Sequence, residues 1–159
     1  MKTMLTKKLF GFLFMITMLG MSFNKAQAHC EIPCGIYADS VRVSLIQEHI
    51  TTIEKSMNQI EELSKSETIN YNQLVRWVNN KEEHAKKIQE IVSQYFLHQR
   101  IKVVEEDQKE AYAKYQLHLG LLHKMLVYSM KCKQTTDLGY IEKLRSTVAD
   151  FEKVYFHKH

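Results

Sequence analysis

The chain has 159 residues with one Pro, five Gly and three Cys, which allows one domain with a core of its own and gives too few breakers for a loop-rich or sheet-rich protein. Its net charge of +4 comes entirely from the first 28 residues, which hold Lys2, Lys7, Lys8 and Lys25 and no acid. Without those four, 18 basic side chains face 18 acidic ones, so a charge-driven nucleic-acid partner is excluded, and the odd cysteine count argues against a disulfide framework.

Residues 1–8 are basic, Leu9 to Met21 form an apolar run, and the segment closes on Ala26-Gln27-Ala28. A basic start, an apolar stretch and a small-x-small ending predict a leader, residues 1–28, cut after Ala28. The apolar run is too short for a lasting bilayer span, which weakens the reading of a retained anchor. A lipoprotein anchor lacks the small residue it needs just ahead of Cys30. Cleavage leaves 131 of the 159 residues, beginning at His29. The expected location is exported, periplasmic or extracellular, with no membrane association after cleavage. Lys25 beside the cut is unusual for an export signal. It keeps open a dedicated maturation protease and, as the alternative, a cytoplasmic protein with a specialised propeptide.

The new N-terminus would read His29-Cys30-Glu31-Ile32-Pro33-Cys34-Gly35-Ile36-Tyr37. The α-amine of His29 and the backbone amide nitrogen of Cys30 belong to adjacent residues and close a tight chelate ring on a metal. The Cys30 thiolate closes the next ring, and the Cys34 thiolate completes a plane. Two nitrogens and two sulfurs in a plane suit Ni(II) or Cu(II). The His29 imidazole stands beside the plane as an axial donor. Zinc fits poorly, since it prefers tetrahedral closure and has no redox chemistry. Pro33 fixes its own φ in the turn, and Gly35 opens conformations closed to other residues. Tyr37 follows with a phenol near the open face.

Four apolar ladders with helical spacing come next. They are Ile46, Ile50, Ile53, Met57, Ile60; then Leu74, Val78, Ala85, Ile88, Val92, Tyr95; then Tyr115, Leu119, Leu122, Leu126, Met130; and last Ile141, Leu144, Val148, Phe151, Tyr155. Asp39 is expected to cap the first helix, Ser64–Asn70 to separate the first two, and Thr135-Thr136-Asp137 to break and cap before the fourth. Leu97–Gln108 lacks Gly and Pro and reads as a loop or a bend. Gly120 falls inside the third helix at a cost of about 1 kcal/mol relative to Ala. Short links between four helices predict an all-α, antiparallel four-helix bundle with an N-terminal metal hook, spanning 29–159. No repeat, phosphate loop or Ser/His/Asp arrangement is visible.

The pattern His29-Cys30-x-x-Pro33-Cys34-Gly35-x-Tyr37 resembles the nickel hook of nickel superoxide dismutases, residues 29–37 here. The resemblance implies a superoxide dismutase that turns superoxide into dioxygen and hydrogen peroxide by Ni(II)/Ni(III) cycling. It implies one nickel per chain, held by His29, Cys30 and Cys34. It implies that catalysis is carried by His29, Cys30, Cys34 and Tyr37, the last as a gate ordering water or an anion near the metal. Glu31 stands where the family often carries Asp, and the leader departs from the short propeptide of some members. A homohexamer, a maturation protease and a nickel-loading factor are implied partners, and superoxide is the implied small-molecule substrate.

Two other readings compete. An exported nickel- or copper-binding carrier would use the same donors without turnover. A helical interaction module would pair Cys30 with Cys34 in a disulfide, which leaves the His terminus and the Pro-Cys-Gly-x-Tyr sequence unexplained. Elsewhere, Cys132 reads as a lone thiol, buried or partly buried. His118 and His123 lie five apart, on different faces. His49, His84 and His98 are isolated and read as surface or bundle-packing residues, His157 and His159 belong to a frayed tail, and Trp77 suits the core or a subunit contact. Glu82, Glu83 and the nearby lysines read as a solvated face.

Overall fold

The computed structural model describes residues 36–156, all within the unit Pro33–His159. Helix α1 spans Asp39–Ser64, α2 Tyr71–Glu90, α3 Lys109–Gln134 and α4 Gly139–Phe156. Helix α2 runs on without a break into a π-helical segment, Ile91–Arg100. Among the described residues there is no strand, and the expected all-α four-helix bundle is what forms.

Side-chain contacts fix the directions. Between α1 and α4, Gln47 Nε2 donates to Glu152 at 2.9 Å and Arg145 pairs with Glu54 at 2.5 Å. Further along α1, Glu61 meets Thr136 from the link before α4. The order descends on one helix as it rises on the other. Likewise α1 meets α2 through Ser56–Asn80 and His49–His84, α2 meets α3 through Lys81–Cys132 and Gln89–Leu126, and α3 meets α4 through Tyr128–Tyr140 and His118–Phe151. Neighbours in sequence are therefore antiparallel, as short links require.

The ladders of α1, α2 and α4 supply most of the core. Ile46, Ile50, Ile53, Met57, Ala85, Ile88, Val92, Ile141, Leu144, Val148 and Phe151 are all buried. Full burial of each large side chain contributes about 1.5–3 kcal/mol. Two expectations are displaced. The α3 core is Leu121, Leu122, Met125, Ser129 and Cys132, whereas Met130 is exposed. Helix α3 is apolar on several sides, so periodicity alone does not choose its inner face. Ser129 is tolerated there because its hydroxyl donates to the Met125 carbonyl at 2.7 Å. Val78 is also exposed, on an outward stripe with Tyr71 and Val75.

The helix ends differ in detail from the sequence reading. Asp39 is not the cap. Ala38 holds that position, and Asp39 is the first helical residue. Its side chain is drawn across the bundle instead. Asn70 caps α2 by accepting from Gln73 N at 3.2 Å. Asp137 accepts from Gly139 N at 2.9 Å, ahead of α4 as expected. Leu97–Gln108 is only partly a link, because helix persists to Arg100.

Candidate metal centre

His29, Cys30 and Cys34 lie outside the described residues, and Tyr37 lies within them. The structure therefore describes how the bundle holds the chain from Ile36 onward, just past those residues. Residues 36–38 arrive at the bundle end formed by the start of α1, the π-helical segment and the last turn of α4.

The backbone there is tied down by a polar cluster. Tyr37 offers its carbonyl oxygen to the Tyr95 hydroxyl at 2.8 Å and to Arg100 Nη2 at 3.0 Å. The single Tyr95 proton lies between that carbonyl and Asp39 Oδ1, 2.5 Å away. Arg100 Nη2 also donates to the Tyr95 oxygen at 2.8 Å, and its Nε stands 2.8 Å from Asp39 Oδ1 as an ion pair. Tyr155 donates to the other carboxylate oxygen, Asp39 Oδ2, at 2.8 Å. Four residues from three elements thus converge just past Tyr37. Tyr37 is 40 % exposed, with the Arg42 guanidinium 4.1 Å from the centre of its ring.

The π-helical winding makes this convergence possible. Tyr95 and Arg100 are five apart, and in an α-helix they would face apart. Bonding to the fifth residue back, seen from Ile101 N to the Phe96 carbonyl at 2.9 Å, brings them onto one side. The Arg100 guanidinium sits 4.9 Å from the Tyr95 ring centre. Such winding recurs at functional sites. Beneath it, Phe96 meets Phe151 at 5.1 Å and Tyr155 at 5.6 Å in edge-to-face contacts. Pairs of this kind add about 0.5–1.5 kcal/mol beyond burial.

The electrostatics follow from partial burial. Burial by itself would raise the Asp39 carboxyl. The hydrogen bonds from Tyr95 and Tyr155 and the charge of Arg100 outweigh it and hold the group below the ordinary carboxylate value. Burial, then the bond to Asp39, pushes both phenols the other way, so they stay protonated and donate. Beside Tyr155, the buried His118 Nε2 has no hydrogen-bond partner among the described residues. Burial lowers the basicity of its ring, so the imidazole stays neutral there.

The donors that nickel needs are not among the described residues, where no group of three His, Cys, Asp or Glu side chains could hold a metal. Cys132 is fully buried and free. Burial pushes its thiol up to about 11, so it remains protonated and is no thiolate donor. An amine, an amide nitrogen and the two thiolates of residues 29–34 are the set whose chemistry fits nickel.

Asp39, Tyr95, Arg100 and Tyr155 were not singled out from the sequence as site residues. Asp39 reads there as a cap, and the two tyrosines as ends of core ladders. The missed signal is topological: an antiparallel bundle brings the start of its first helix, the end of its second and the end of its fourth to one place. A carboxylate and two phenols at those positions are within reach of one another.

No curated protein and no solved structure matches the chain. A family model does, over residues 24–159, and its description is nickel-containing superoxide dismutase.

Proposed function

The chain belongs to the nickel-containing superoxide dismutase family, and from that premise we propose that its active centre is built on residues 29–37 once the bond after Ala28 is cut. It is an oxidoreductase with nickel as its metal and superoxide as its substrate. The family match over residues 24–159, a range that includes the donor set, is the observation that carries this reading.

His29 offers its amine and imidazole, Cys30 its amide nitrogen and thiolate, and Cys34 its thiolate, for one nickel per chain. When bound, nickel supplies a Ni(II)/Ni(III) couple, by which one superoxide gives up an electron as dioxygen and a second gains it. The second superoxide also takes up two protons and leaves as hydrogen peroxide. Tyr37 stands three residues beyond Cys34 and orders water or an anion at the open face. Asp39, Tyr95, Arg100 and Tyr155 position it by holding its backbone. Peroxide oxidises exposed thiolates, so holding Cys30 and Cys34 on the metal also preserves the enzyme.

The basic start, apolar run and Ala26-Gln27-Ala28 ending support export, with the leader removed by a maturation protease. No helix of the described residues is long and apolar enough to cross a membrane. A homohexamer and a nickel-loading factor complete the proposal. The carrier reading gains nothing from the family match.

The test combines N-terminal sequencing of the mature protein with metal analysis and a stopped-flow superoxide assay. The expected result is His29 at the terminus, one nickel per chain, and loss of both nickel and activity in Cys30→Ser. Full activity in a nickel-free sample, or a different N-terminus in the active protein, overturns the reading.

A further inference from the structure

His49 of α1 and His84 of α2 meet between the two helices, away from the Asp39 cluster. Their Nδ1 atoms are 3.0 Å apart, and the rings stand edge to face with centres 4.9 Å apart. One Nδ1 donates and the other accepts. Both rings are half-buried on rigid helices, 35 residues apart in sequence. Burial, and then neighbouring positive charge, keeps both imidazoles neutral, with His49 pushed down to about 4. Neutral imidazole is the form that binds metals.

We propose that His49 and His84 form a second metal site, which takes a divalent ion of the copper–nickel class between the two Nδ1 atoms. With metal–nitrogen bonds of about 2.0–2.1 Å, nitrogens at this spacing subtend about 90–97° at a shared ion. That angle suits tetragonal or octahedral coordination better than tetrahedral, and so favours Cu(II) or Ni(II) over zinc. Each ring must turn by about 40–45°, the angle between the Nδ1–Nδ1 line and the bond to a shared ion, to bring its lone pair from the other nitrogen onto the metal. The donating Nδ1 gives up its proton and Nε2 of that ring takes one from water, so the neutral pair binds with no net proton release. The adverse charge is Lys87, which acts on both rings. Glu83, next to His84 in sequence, pairs with Lys87 at 3.6 Å and offsets it. Two protein nitrogens and solvent make up the coordination sphere.

The experiment titrates the full chain, leader removed, with nickel(II) chloride, followed by calorimetry and by the ring resonances of its histidines. Two binding events per chain are expected: a tight one at the hook, and a weaker one that broadens the signals of His49 and His84. His49→Gln and His84→Gln each weaken the second event at least about tenfold, the scale on which even the outer partners of a ligand count. Neither changes the tight event or superoxide turnover. Cys30→Ser removes the tight event and keeps the weak one, so failure of the hook reading stays distinct from failure of this one. No second event with nickel in large excess, its retention in both histidine variants, or its loss in Cys30→Ser overturns the proposal.

Discussion

Asp39 accepts from two phenols and faces one guanidinium, and each of these contacts has a measurable counterpart. Tyr95→Phe keeps the ring against Phe96 but removes the hydroxyl that links the Tyr37 carbonyl to the carboxylate. Denaturant unfolding should show a loss of about 0.5–1.5 kcal/mol, the net worth of a typical hydrogen bond. Superoxide turnover should fall while nickel content stays at the wild-type level, because Tyr95 positions the chain and donates nothing to the metal. The depressed Asp39 carboxyl makes a pH prediction. As pH falls, the unfolded chain protonates this group first, at its ordinary value near 3.8. The cluster's contribution is therefore complete above that value and is lost as pH drops through the lower folded one. Acid unfolding of Asp39→Asn, followed by circular dichroism, should lack this part of the pH dependence. At this scale the sequence displays every residue type in the cluster. It does not display the partners, because those lie 56 and 116 positions away along the chain.

Single helices show why some boundaries are legible and others are not. Asn70 and Asp137 announce α2 and α4 through short polar side chains that satisfy free backbone N–H groups. The inner face of α3 is hidden by leucines on several sides, and the π-helical continuation of α2 carries no Gly or Pro to mark it. The far end of α3 has a device of its own. Lys81 of α2 is buried and donates to the carbonyls of Cys132 and Lys133, with Glu82 3.4 Å away. It thus satisfies two of the last acceptors of α3 and sets a positive charge at the negative end of the helix dipole. Lys81→Met should cost about 1–3 kcal/mol in thermal or denaturant unfolding, the penalty for buried acceptors left unpaired. Superoxide turnover should be unchanged at temperatures where the variant stays folded, since this end is opposite the Asp39 cluster.

For the molecule as a whole, the bundle and the chemistry are written in different parts of the chain. Apolar spacing from Ile46 to Tyr155 specifies the bundle, and on the proposed reading the donors of residues 29–34 specify the metal, the two meeting only where Tyr95 and Tyr155 end their ladders in the cluster past Tyr37. The uncut chain should therefore fold without becoming an enzyme. Blocking cleavage with Ala28→Lys should leave the helical circular dichroism and the unfolding midpoint near those of the mature protein, while the tight nickel-binding event and turnover are lost. A midpoint far below the mature value would show that the bundle needs the cut end for its own stability. The bond from Tyr155 to Asp39 also has a consequence in time. Its two residues are 116 positions apart, so at ribosomal rates of about 5–20 residues per second the donor emerges on the order of ten seconds after the acceptor. The start of the first helix is therefore the last part of that helix to gain all its partners. Until the fourth helix is complete, Asp39 lacks the Tyr155 donor and the clamp on Tyr37 rests on Tyr95 and Arg100 alone, so nickel delivered earlier would meet an unfinished support.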